Sequence, residues 1–185
     1  LSNENLINLK EFKPLKFGII YSHSINEKNT LITKTKKSIE TRIRDYNSSI
    51  MCECTTNHDL NSLKESIKKL SLMDLDVVLL FLSSSVSDYN DIVPQIIIQL
   101  GGKTTSFGMP VDPGNLTLSA TLGKTNLIAA AGSARSDALN GLDWHLNCLH
   151  AGVVVNEKMV NSLGVGGLLK DIDFAIKRKK ISKTI

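Results

Sequence analysis

Apolar and polar positions along this chain follow a repeating alternation of short apolar runs and longer amphipathic stretches. Lys16 to Tyr21 (KFGIIY) is a compact apolar run, and Ile32, Thr35, Ile39, Ile43 and Tyr46 then recur at helical spacing with Lys and Arg between them. Ile50 to Cys54 predicts a second strand. Leu60, Leu63, Ile67 and Leu70 mark a second amphipathic helix, started by Asp59 or Asn61. Asp76 to Leu82 (DVVLLFL) carries no polar alternation, as expected of a central strand covered on both faces. Asp88 or Asp91 then caps a helix bearing Ile92, Ile96 and Leu100, with Pro94 in its first turn and Gly101–Gly102 at its end. The first half therefore reads as three βα units.

The second half changes rhythm. Lys103–Phe107, Leu116–Leu122 and Thr125–Ala130 read as strands, the last two joined by a tight Gly123–Lys124 turn as a hairpin that adds to or flanks the sheet. Leu139, Leu142, Leu146 and Leu149 form one stripe of a helix from about Ser136 to His150, and a last helix is expected over about 168–177. The pattern predicts a three-layer α/β/α domain with a mostly parallel sheet and an added hairpin. Residues 1–15 are polar and irregular, as expected of a linker from an upstream portion. The α/β domain is expected over 16–176, with a basic tail over 177–185.

Composition fits one soluble domain, with 42% hydrophobic and 22% charged residues in 185. The longest apolar run, Val77 to Leu82, is far too short to span a bilayer, so no membrane partner is expected. The net charge of +4 is more than accounted for by Lys177, Arg178, Lys179, Lys180 and Lys183, and the body without them is near neutral. That distribution lacks the basic face of a nucleic-acid binder, and aromatics for base stacking are few. Three cysteines, Cys52, Cys54 and Cys148, make no closed disulfide set and predict a cytoplasmic setting. Cys52 and Cys54, two apart in a strand, face one side as buried thiols, with no further metal ligands at suitable spacing. His145 and His150 are five apart and share no helix face; Trp144 reads as packing and His145 as surface.

In open α/β sheets ligands lie beyond the carboxyl ends of the strands. Four loops fall there: Ser22–His23, Ser83–Asp91, Gly108–Asn115 and Gly132–Ser136. Ser83, Ser84 and Ser85 are small enough to let a phosphate approach backbone amides, and Asp88 and Asp91 are candidate catalytic acids and magnesium ligands. The same run also suits a plain turn with an N-cap. Gly108 opens the sequence GMPVDPGN, in which Asp112 stands between Pro110 and Pro113 and is followed by Gly114 and Asn115, an acid on a constrained backbone. Gly132, Ser133, Arg135 and Ser136 form a strand-to-helix turn in which a cation at a helix start is unfavourable unless an anion joins it. Asn140 and Asp143 are placed to reach either the loop or a neighbouring subunit. An edge hairpin and apolar helix faces point to a homo-oligomer.

The segments GMPVDPGN, AGSARSDALNGLDW with its trailing LHAG, SDYNDIVP and GVGGLLKDI resemble the molybdopterin-binding domain of molybdenum-cofactor biosynthesis proteins. More narrowly, the chain is similar to the MoeA/MogA-like type found fused to nucleotidyltransferase modules, over roughly Lys16 to Ile172. VDPGN and ARS are the most specific parts. The resemblance implies molybdopterin as ligand, held by its phosphate at strand-end loops, and a role in adenylylation or molybdate insertion. It further implies Mg2+ and ATP or AMP-molybdopterin as companions, and other molybdenum-cofactor biosynthesis proteins as partners. The chain departs from the pattern where LSSSVS replaces a glycine-rich loop, and where Ala131 and Ser133 stand in place of the frequent Pro and Cys. These departures favour binding ahead of turnover. A non-catalytic carrier and a generic nucleotide-binding domain stay open as alternatives, although a full dinucleotide fingerprint is missing.

Overall fold

The computed structural model describes residues 9–24, 29–164 and 167–168. Its main sheet has six strands, β1 (Lys16–His23), β2 (Ser49–Asn57), β3 (Val77–Phe81), β4 (Lys103–Phe107), β6 (Leu118–Leu122) and β7 (Thr125–Ala130), in the order β2-β1-β3-β7-β6-β4. The first four in that order are mutually parallel, and β6 runs antiparallel to both its neighbours. The β6–β7 hairpin thus inserts itself into the sheet and displaces β4 to the edge. Gly123, at φ +59°, makes its turn in the left-handed region that glycine enters without steric cost. Val111–Asp112 (β5) pairs in parallel with Gly167–Leu168 (β8) as a separate small sheet. The rest of the helix expected over 168–177 lies outside the described residues.

Strand periodicity decides which layer each apolar residue enters. Val77, Leu79 and Phe81 of β3 join Phe17, Ile19 and Tyr21 of β1 under α1 (Asn29–Arg44) and α4 (Gly141–His150). Val78, Leu80 and Leu82 face α2 (Leu60–Ser71) and α3 (Ile92–Gln99) instead, with Leu63, Ile67, Ile96 and Ile97 packed on them. Every residue of β3 is buried, which is why its sequence shows no alternation. The three-layer arrangement is the one the pattern predicts.

Local signals resolve several alternatives. Asp59, not Asn61, caps α2 by accepting from the Ser62 N–H at 2.9 Å. Asp91 occupies the N-cap position of α3, but its side chain makes no cap bond there. The helix expected from Ser136 begins at Gly141; before it, Gly132–Arg135 forms one 3-10 turn. Asn140 forces that break, because its side chain accepts from Leu142 N–H while the Asp143 carboxylate accepts from Asn140 N–H, a reciprocal capping box. Cys52 and Cys54 are half-buried rather than buried, since β2 is an edge strand, and burial still pushes both thiols up. Beyond α4, α5 (Glu157–Asn161) contributes Val160 to a small third cluster with Met109, Val111 and Val155.

Candidate functional site

A cleft of about 240 Å3 lies beyond the carboxyl ends of β2 and β3, lined by His58, Leu82, Ser84, Ser85, Val86 and Asp91, among others. Side-chain bonds stitch its loops together. Ser22 Oγ, at the end of β1, accepts from Ser83 N–H at 3.1 Å and lies 2.8 Å from His58 Nδ1. His58 Nε2 lies 3.1 Å from Ser84 Oγ. Ser85 Oγ accepts from Gly132 N–H at 3.3 Å, which ties the loop after β3 to the loop after β7.

Arg135 is not among the residues that line the cleft, and it braces the turn after β7 from the α1 side. Its guanidinium donates to the Leu82 carbonyl at 2.5 Å and to Thr35 Oγ1 at 3.4 Å, so one cation joins β3, the β7 turn and α1. It sits at the end of the 3-10 turn rather than at the start of α4, which relieves the helix-start repulsion expected from the sequence. Ser133, in the same turn, has a buried hydroxyl with no hydrogen-bond partner among the described residues. Ser136 turns inward: its carbonyl accepts from the Arg42 guanidinium at 2.8 Å.

The two acids are engaged in their own turn. Asp91 Oδ2 accepts from Ser87 N–H at 2.5 Å, Ser87 O–H at 3.1 Å and Asp88 N–H at 3.3 Å. The Ser87 N–H above all holds the Asp91 carboxyl below the usual carboxylate range. Asp88 accepts from Asn90 N–H at 2.5 Å. Among the described residues no group of three or more His, Cys, Asp or Glu side chains is placed to hold a metal ion. Two carboxylates fit a magnesium ion only where ligand phosphates and water complete its six oxygens.

The Gly108–Asn115 loop lies on the same edge, two strands beyond β7. It is braced by its own backbone, with Gly108 N–H donating to Thr117 carbonyl at 3.0 Å and Met109 N–H to Asn115 carbonyl at 2.9 Å. Its far end clasps α4: Gly141 N–H donates to the Pro113 carbonyl at 3.0 Å. A Cβ on Gly114, at φ +116°, would stand 2.3 Å from Gly141 N, so no side chain fits there. Asp112 is exposed. The hydrogen bonds therefore unite Ser83, Ser84, Ser85, Gly132 and Arg135, whereas Asp112, Pro113, Gly114 and Asn115 are carried alongside them by β4.

Two functional-looking histidines differ from their sequence reading. His58 gave no motif, yet as the first residue after β2 it reaches the cleft; its place just past a strand and before the Asp59 cap was the available signal. His145, expected on the surface, is 2% exposed, and its Nε2 lies 2.7 Å from Ser119 Oγ. The stripe that buries Leu142 and Leu146 carries His145 down onto β6, which offers a serine to receive it.

No family model and no curated protein sequence matches this chain. Among solved structures, molybdenum cofactor biosynthesis protein B superposes with a TM-score of 0.52 and 13% identity, over 74% of this chain and 92% of that one. The two share a fold. The three-layer α/β architecture is thus that of molybdenum cofactor biosynthesis protein B. A molybdopterin biosynthesis MoeA protein from Pyrococcus horikosii aligns with a TM-score of 0.49 and 20% identity, over 65% of this chain. The match spans 30% of that protein's length. Among the described residues no helix is long and apolar enough to cross a membrane.

Proposed function

We propose that this domain serves molybdenum-cofactor biosynthesis by binding molybdopterin through its phosphate at the loop after β3, where the cleft beside His58 adjoins the turn after β7. The observation that carries the reading is the stitched rim: Ser84, Ser85, Gly132 and Arg135 are brought to one corner by bonds that cross three strands. Hydroxyls, an open backbone and a guanidinium at strand ends suit a phosphate, which charged hydrogen bonds hold better than neutral ones. The shared fold with molybdenum cofactor biosynthesis protein B supports the same reading. The Asp112–Asn115 loop, on the same edge of the sheet, is the place to which the pterin would extend.

Binding is the primary role, and adenylylation or molybdate insertion the stage it serves. Asp88 and Asp91 would take a magnesium ion only together with a nucleotide's phosphates. Calorimetric titration of the chain with molybdopterin, alone and then with magnesium ATP, tests this. Saturable heat with molybdopterin is expected. A second saturable event with magnesium ATP marks an adenylylating module, its absence marks a carrier, and no heat from molybdopterin defeats the proposal.

A further inference from the structure

The hydrogen positions around His58 follow from what Ser22 leaves open. Ser22 is 1% exposed, and its Oγ already accepts from Ser83 N–H. A serine hydroxyl carries one hydrogen, and the acceptor it meets among the described residues is His58 Nδ1 at 2.8 Å. If Nδ1 bore the proton instead, the buried Ser22 hydrogen would have no partner and would carry the penalty of an unsatisfied polar group. Nδ1 is then the acceptor, and the ring proton sits on Nε2, 3.1 Å from Ser84 Oγ.

We propose that His58 is fixed as the Nε2–H tautomer, so that it donates to Ser84 Oγ and leaves the exposed Ser84 hydroxyl as a donor to an anionic acceptor in the cleft. His58 is then a positioning residue and Ser84 a binding residue. The tautomer rests on the Ser22 geometry alone; only the identity of the acceptor as a phosphate oxygen rests on the function proposed above. One consequence is chemical: a serine that accepts from its histidine cannot pass its proton to that ring, so His58 in this tautomer is not a general base for Ser84. This arrangement is the reverse of a nucleophilic Ser–His pair.

The two buried histidines provide the contrast. His145 Nδ1 lies 3.2 Å from the Gly141 carbonyl and His150 Nδ1 lies 2.6 Å from the Leu146 carbonyl. A carbonyl only accepts, so both rings carry the proton on Nδ1.

Long-range 1H–15N spectra of the full chain labelled at histidine nitrogens decide the matter, with the His58 signals identified by their loss in His58→Gln. An Nε2–H pattern for His58 beside Nδ1–H patterns for His145 and His150 is expected; an Nδ1–H pattern for His58 overturns the inference whatever the chain binds. In molybdopterin titrations, Ser84→Ala and His58→Ala should each weaken binding about tenfold. His58→Gln, which keeps a terminal N–H, should stay within about threefold, and the His58→Ala, Ser84→Ala double variant should be no weaker than Ser84→Ala. Equal losses for Gln and Ala, or additive losses in the double variant, would remove His58 from the relay. If the wild-type chain binds no molybdopterin, the proposed function falls while the spectra still decide the tautomer.

Discussion

Arg42 and Asp143 form a buried ion pair that locks α1 to the first turn of α4, with Nε 2.9 Å from Oδ1 and the residues 3% and 4% exposed. The same guanidinium donates to Ser38 Oγ and to the carbonyls of Ser136 at 2.8 Å and Ala138 at 3.0 Å. Asp143 meanwhile accepts from Asn140 N–H. One charge pair thus holds both the strand-to-helix loop and the helix cap behind the candidate site.

Removing either partner strands the other charge in a dry site. Arg42→Ala and Asp143→Ala should each destabilise the fold by about 3–5 kcal/mol in urea unfolding. An Arg42→Met, Asp143→Leu double variant should recover a substantial part, because both desolvation penalties then disappear together.

Arg135 ties the turn after β7 to β3 and α1, beside the proposed phosphate site. Arg135→Ala should weaken molybdopterin binding by about 1–3 kcal/mol, the scale of a charged hydrogen bond, with a far-ultraviolet circular dichroism spectrum like that of the wild type. Unaltered affinity in calorimetry removes it from the phosphate site.

Burial holds the His145 and His150 rings below the ordinary histidine range. Both therefore take up protons less readily when folded than when unfolded, where they titrate at about pH 6.5. The unfolded state then binds more protons below that pH, so stability should fall as pH drops from 7.5 to 5.5, by at most about 1.4 kcal/mol per pH unit for each ring. Urea midpoints across that range check the slope, and His145→Gln should flatten it.

Gly114 touches Gly141 too closely for any side chain and adopts a positive φ. Gly114→Ala combines strain with overpacking and should cost roughly 2–5 kcal/mol. Thermal unfolding of the variant measures it. A loss below 1 kcal/mol would mean that the Asp112–Asn115 loop does not clasp α4.

The alternation of apolar runs and amphipathic stretches was enough to specify three βα units, the Gly123–Lys124 hairpin and a three-layer stack. Those features depend on the two side-chain periods of strand and helix, which are written locally in residues such as Val77 to Leu82. Strand-end loops were legible for the same reason, and so were Ser84, Ser85, Gly132 and Arg135 as candidates. What the sequence left open was partnership across long separations. Asp143 meets Arg42 101 residues away, His58 meets Ser22 and Ser84, and His145 meets Ser119, all through contacts that arise only when β1, β3, β7 and β6 assume their order in the sheet. Local pattern determines which face of an element is apolar; only the packed sheet decides which polar group meets which, because a hydrogen bond or ion pair has direction and range that a periodicity does not carry.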